Sequence, residues 1–80
     1  MEKKLKWKVE RGVTNGVKHS FYSAKSWIEG VGACIFKDSS HTFAILSVNG
    51  YQFRHTSVKE AKADAEDRLK YNRGIYLRSD

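Results

Sequence analysis

Apolar and charged side chains alternate along the start of the chain. Leu5, Trp7 and Val9 occupy every second position, and lysine fills the positions between them. Because successive side chains of a strand point to opposite faces of the sheet, this pattern predicts a strand over about 4–11 with one apolar face and one lysine face. We expect the apolar face to enter the core, with Trp7 as a structural residue.

Two Asn-Gly pairs interrupt the apolar pattern further along the chain. Asn15-Gly16 and Asn49-Gly50 each separate two strand-like runs, and Asn-Gly is the strongest short-range hairpin signal because both residues tolerate positive φ. Strands are therefore predicted on either side of each pair and over 31–38. The segment 18–30 has an ambiguous facing and fits either two short strands or one bent strand.

The clearest helix begins after Ser57. The segment Ser57-Val-Lys-Glu60 is a capping box, in which the hydroxyl accepts from the Glu60 N–H and the glutamate returns to the Ser57 N–H. Gly74 is the expected residue just beyond the helix end. The apolar stripe, at helical spacing, consists of Val58, Ala61, Ala65 and Leu69.

These elements predict an α+β fold, an antiparallel meander of about four strands with one C-terminal helix packed across one face. The chain, 1–80, is expected to be a single domain, and its last residues, 75–80, either add a short edge strand or lie loose. Since the helix offers mainly alanine, large strand residues must fill the layer beneath it. The expected residues are Trp7, Ile35, Ile45 and Phe53.

The amino-acid composition excludes several kinds of site and segment. The single cysteine, Cys34, cannot form an intramolecular disulfide, and the sequence offers no four-ligand Cys/His set for zinc. The sequence has no apolar run long enough for a signal peptide or a membrane span, which predicts a cytoplasmic protein that does not enter the membrane. No cofactor is implied.

Candidate catalytic groups are sparse. The three histidines are far apart in sequence, and Cys34 lies within a predicted strand with no helix N-terminus to lower its pKa. The helical acidic residues have the spacing of a solvated face, and the glycines do not form a phosphate loop. We therefore expect a protein that is not an enzyme.

The basic residues are the better candidates for function. The chain carries a net charge of +6, and residues 1–25 hold seven basic groups against two acidic ones. Cations that neutralise phosphates, with aromatics that stack on bases, are typical of nucleic-acid grooves, whereas strand lysines also discourage edge-to-edge pairing of sheets. The candidate binding residues are Lys4, Lys6, Lys8, Lys18, Lys25, Arg54, Tyr22 and Tyr51.

The stretch 27–69 resembles a pattern found in small phage and prophage proteins. In that pattern a Trp precedes two or three strands, a Gly-aromatic turn follows, and "S-x-x-E-A-K" opens the final helix, as Trp27, Gly50-Tyr51 and "SVKEAK" do here. The resemblance implies a phage protein that binds and inhibits a host defence or nucleic-acid-processing complex, of the anti-CRISPR type.

The order of strands and helix also resembles the DNA-binding domain of AP2 factors and the arm-binding domain of tyrosine integrases. There an "EEA" helix follows a Gly-Phe strand, much as Glu60-Ala61 follows Phe53, and the sheet enters the major groove. The central strands here lack the dense Arg and Trp that those domains use to reach bases. The sequence thus predicts docking to a host protein complex through the sheet, with direct DNA or RNA binding by the basic strand as the alternative. Homodimer formation through an exposed edge strand stays open.

Overall fold

The computed structural model describes residues 4–76 and confirms the α+β class. The chain forms one antiparallel sheet in the order β1-β2-β3-β4-β5, one strand more than the expected four, followed by a single helix. β1 and β5 are the two edges. The elements are β1 Lys8–Thr14, β2 Val17–Lys25, β3 Gly32–Asp38, β4 Ala44–Val48, β5 Tyr51–His55 and α1 Val58–Tyr71.

The two Asn-Gly pairs form the tight turns predicted for them. Asn15 and Gly16 connect β1 to β2 with φ values of 51° and 79°, and Asn49 and Gly50 connect β4 to β5 with 50° and 83°. Positive φ at both central residues matches the right-handed twist of the flanking strands. The ambiguous segment 18–30 proves to contain one strand, β2, which ends at Lys25.

The register divides the sheet into two faces. Tyr22, Ile35, Leu46 and Phe53 oppose one another across β2 to β5, and α1 packs over β3, β4 and β5 on that side. We call this side the helix face and the other side the open face. Because side chains alternate along each strand, every second residue of each strand belongs to the open face.

The layer between α1 and the sheet differs from the expected set. Ile35 is fully buried as predicted, but its large companions are Leu46, Val48 and Ile75. Ile45 was wrongly expected there, since the parity of β4 turns Ala44, Leu46 and Val48 toward the helix and Ile45 away from it. Trp7 and Phe53 are half-buried and pack against the edge of this core.

The N-terminal strand begins later than the alternation predicted. Residues 4–7 lie outside β1, which runs on to Thr14. Leu5 is buried and its N–H donates to the Glu66 carboxylate at 2.8 Å, so the segment turns to the helix instead of extending the ladder. Val9, expected in the core, is 43% exposed because α1 does not pack over β1.

Both ends of α1 carry recognisable caps. The Ser57 hydroxyl accepts the Glu60 N–H at 3.1 Å, as predicted, but the Glu60 carboxylate accepts from the Thr56 hydroxyl at 2.7 Å. At the other end the left-handed residue is Asn72, whose N–H donates to the Arg68 carbonyl; Gly74 follows two residues later. Of the predicted tail 75–80, residues 77–80 lie outside the described residues.

Candidate functional site

An apolar row crosses the centre of the open face. Phe21 on β2 lies directly opposite Phe36 on β3, which lies opposite Ile45 on β4. Phe21 and Phe36 are 40% and 42% exposed, and because they are adjacent they form one apolar patch. We call Phe21, Phe36 and Ile45 the apolar row.

Four lysines converge at one end of the same face. Lys4, Lys6, Lys8 and Lys25 line a groove of about 750 Å³ together with Trp27. Ser23 and Cys34, which are paired across β2 and β3 one step from the apolar row, also line the groove. These seven residues are called the lysine groove below.

A helix carboxylate holds one wall of the groove in place. Glu66 accepts the Leu5 N–H, while the Leu5 side chain is only 7% exposed among core residues. Lys4 and Lys6, on either side of this anchor, are exposed. The alternating residues 4–6 therefore do separate into a buried apolar side and an exposed lysine side. The helix holds the apolar side in place, and strand pairing does not.

Two acidic residues of α1, Asp64 and Asp67, form ion pairs away from the groove. Asp64 Oδ2 lies 2.7 Å from Arg68 Nε and 2.8 Å from His55 Nε2, and Arg73 contacts both Asp64 and Asp67. Partial burial disfavours the charge on Asp64, but the hydrogen bonds from Arg68 and His55 outweigh it and hold the pKa of the carboxyl below its ordinary value.

The groove lysines have no acidic partner among the residues that the structure describes. Among residues 4–76 the ion pairs involve arginine and histidine, and none includes Lys4, Lys6, Lys8 or Lys25. A cluster of unpaired cations beside low-dielectric walls concentrates a positive potential that attracts anions. This end of the open face is therefore suited to an anionic partner.

The other predicted binding residues lie apart from the groove. Lys18 belongs to the opposite end of β2, seven residues from Lys25, or roughly 23 Å along the strand. Arg54 is on the open face at the far edge strand, with its guanidinium 4.8 Å from the centre of the Phe43 ring.

The two predicted tyrosines face the helix side of the sheet. Tyr22 is half-buried under the Lys62 ammonium, 4.8 Å from the ring centre, and Tyr51 packs against Tyr76 with ring centres 5.7 Å apart. The structure thus brings four of the eight candidates together and assigns the tyrosines to contacts with the C-terminal part of the chain.

One turn brings together side chains that elsewhere perform catalysis. Ser40 Oγ lies 3.1 Å and Asp38 Oδ1 2.8 Å from His41, but both contacts are made to the same ring nitrogen, Nδ1. A proton relay uses both imidazole nitrogens, one toward the acid and one toward the nucleophile. The hydrogen bonds from His41 and Ser40 instead lower the pKa of Asp38 to about 2 and order the turn between β3 and β4.

Sequence reasoning did not identify the exposed phenylalanines of the open face as a site. Phe21 and Phe36 become neighbours only through the register of β2 and β3, which no local motif specifies. The signal in the sequence was the alternation of side chains along β3. Ala33 and Ile35 belong to the core face, so Phe36 has to lie on the opposite face. Glu66 was likewise counted as part of a solvated helix face, although it bonds Leu5, 61 positions away.

Comparison with family models, with curated proteins and with solved structures gives no match. Within residues 4–76, no helix combines the length and apolar content needed to cross a membrane. The same described residues contain no group of three or more histidine, cysteine or acidic side chains arranged to hold a metal ion.

Proposed function

We propose that the protein is a nucleic-acid-binding module that uses the open face of its sheet. The observation that carries the proposal is the continuity of two features: the lysine groove, whose four lysines form no ion pair within residues 4–76, leads directly to the exposed rings of Phe21 and Phe36. Cations for phosphates next to aromatic surfaces for bases are the two components of such interfaces.

The charge distribution supports this partner over a small anion. Lys4, Lys6 and Lys8 occupy every second position where the chain enters β1, and together with Lys25 they line one open groove. A polyanion gains from contacting several such cations in succession, because each neutralised phosphate releases condensed counterions.

Docking to a host protein complex, as the phage resemblance implies, is the second candidate. The observation in its favour is the apolar row, since exposed aromatics surrounded by a polar rim are also the composition of a protein interface. The two candidates differ in what binding requires. A protein partner depends mainly on Phe21 and Phe36, whereas nucleic acid depends strongly on the lysines and on salt.

Fluorescence anisotropy with labelled oligonucleotides across a salt series tests the first candidate. The variant K4Q/K6Q removes two positive charges from the groove, and K59Q/K70Q removes two from exposed positions on α1 as a matched control. If each groove lysine contacts one phosphate, K4Q/K6Q reduces the slope of log affinity against log salt by about 1.4 on single strands. The control variant should keep the wild-type slope.

Equal slopes for the two double variants would contradict a role for the groove. Failure of the wild-type protein to bind any oligonucleotide at low salt would contradict the proposed function itself. Affinity capture from a host lysate, repeated with a Phe36→Ser variant, then tests the second candidate: a partner docked on the apolar row is lost with that variant and retained with K59Q/K70Q.

A further inference from the structure

The centre of the open face carries neighbouring aromatic side chains, which we call the aromatic platform. Phe21 and Phe36 are directly opposite on neighbouring antiparallel strands, which places their side chains roughly 5 Å apart at Cβ. The His19 ring extends this platform, since it stacks beside Phe36 with ring centres 6.3 Å apart and planes inclined by only 25°.

Gly12 leaves room for the His19 ring. A Cβ at Gly12, the residue opposite His19 on β1, would lie 2.8 Å from the imidazole, so only glycine permits the ring to lie over the edge strand. The Thr14 hydroxyl, 3.2 Å from His19 Nε2, fixes the ring further.

Phe36 separates two hollows on this platform. His19, Thr14 and Asp38 line the larger one, of about 320 Å³, on one side of the ring. Phe43 and Ile45 help to line the smaller one, of about 150 Å³, on the other. The larger is at the lower end of the size of small-ligand sites, roughly 300 Å³ and above, and its wall is an exposed aromatic ring.

The charged groups beside the platform are acidic: Glu10 on β1 lies opposite Phe21, and Asp38 lines both hollows next to Phe36. From the smaller hollow to the lysine groove, the open-face residues of β3 and β4 are Cys34, Phe36, Ile45 and Ser47, and none of them is a cation. A sheet that reads a duplex in its major groove needs donors such as arginine at the centre, where base edges are presented. Aromatic faces instead suit the flat faces of bases, which a duplex keeps stacked on each other and a single strand exposes.

We propose that the ligand of the open face is single-stranded nucleic acid, with unpaired bases stacked on Phe36 and Phe21 and the backbone leading into the lysine groove. This inference rests on the proposed function and specifies its substrate class. The chemistry that it names, an unpaired base joined to a phosphodiester backbone, is common to DNA and RNA.

Four probes of one mixed sequence, about 12 nucleotides long, test the inference: single-stranded DNA, single-stranded RNA, the DNA duplex, and an abasic strand that keeps the phosphates but lacks the bases. The variant Phe36→Leu removes the aromatic face and keeps an apolar side chain on the strand. Tyr71→Leu, at a 64% exposed position on α1, is the matched control. Circular dichroism and a thermal melt of each variant show that the fold is retained.

We expect the wild-type protein to bind at least one single strand about tenfold more tightly than the duplex and the abasic strand, and Phe36→Leu to lose about tenfold on that strand alone. Whichever of the DNA and RNA single strands binds more tightly identifies the preferred sugar, deoxyribose or ribose. Equal binding of single strand, duplex and abasic strand, with Phe36→Leu unchanged, would overturn the inference while leaving the proposed function intact. Binding to none of the four probes would overturn both.

If Phe36→Leu does not fold, Phe21→Leu replaces it, since Phe21 is the other exposed ring on which a base is proposed to stack. Phe21→Leu should lose about tenfold in affinity for the preferred single strand and keep its affinity for the abasic strand. Equal affinity of Phe21→Leu and the wild type for the single strand would overturn the inference.

Discussion

Replacing Glu66 tests whether the helix holds the lysine segment, because two replacements with the same charge should behave differently. Glu66→Gln and Glu66→Ala each remove one negative charge. The glutamine amide oxygen is still able to accept the Leu5 N–H, whereas alanine leaves that half-buried donor without its 2.8 Å partner.

The expected difference follows from the lost hydrogen bond. An N–H left without its partner costs about 1–3 kcal/mol when buried, and the lower end applies here because the bond is only partly buried. The better helix propensity of alanine offsets this by a few tenths of a kcal/mol at most. Glu66→Ala should therefore be about 1 kcal/mol less stable than Glu66→Gln, which corresponds to roughly 4–8 °C in melting temperature.

Two measurements separate this explanation from general electrostatics. Hydrogen exchange followed by NMR should show the Leu5 amide exchanging about fivefold faster in Glu66→Ala than in Glu66→Gln, the ratio that corresponds to 1 kcal/mol. Oligonucleotide affinity should be lower in Glu66→Ala than in Glu66→Gln, although each variant carries one more positive net charge than the wild type. Equal exchange rates, together with equal affinities, would refute the role assigned to Glu66.

Three further substitutions probe the scaffold. Because the pKa of Asp64 is lowered in the folded state, its ionised form stabilises the fold above the ordinary carboxyl pKa, and this stabilisation is lost as pH falls through the lowered value. Asp64→Asn should therefore flatten the acid side of a plot of unfolding free energy against pH. Glu29→Gln, at an exposed position, should leave that side of the curve unchanged. Ser57→Ala should cost about 1 kcal/mol in urea unfolding by removing the helix cap, and an unchanged midpoint would contradict the cap's role. Ile75→Ala should cost about 2–5 kcal/mol because the side chain is fully buried, whereas a cost below 1 kcal/mol would mean that the C-terminal segment does not close the core.

The features predicted correctly from sequence are those with local causes. Asn15-Gly16 and Asn49-Gly50 specify turns by their own backbone preferences, and Ser57 caps a helix through a bond to a residue three positions away. The class and order of the elements follow from these signals, since each strand pairs with its neighbour in sequence.

The errors arose where a distant partner decides the outcome. Residues 4–7 had the alternation of a strand, but the Glu66 carboxylate and the core compete for this segment. Ile75 belongs to the tail that was expected to add a short edge strand or lie loose, but it is fully buried, and its carbonyl accepts from the Asn49 side chain at 2.7 Å. For the candidate site, charge alone identified the lysines, while the apolar row required the register of β2 with β3.

The bond between Glu66 and Leu5 also has a kinetic consequence. The sheet is assembled from hairpins between consecutive strands, and α1 follows directly after β5, so most contacts form between segments close in sequence and should form early. The N-terminal segment instead has to find a helix residue 61 positions away, which is the larger loop closure. We expect it to dock last during refolding, so a partly folded chain would have the hairpins in place before the wall that completes the groove.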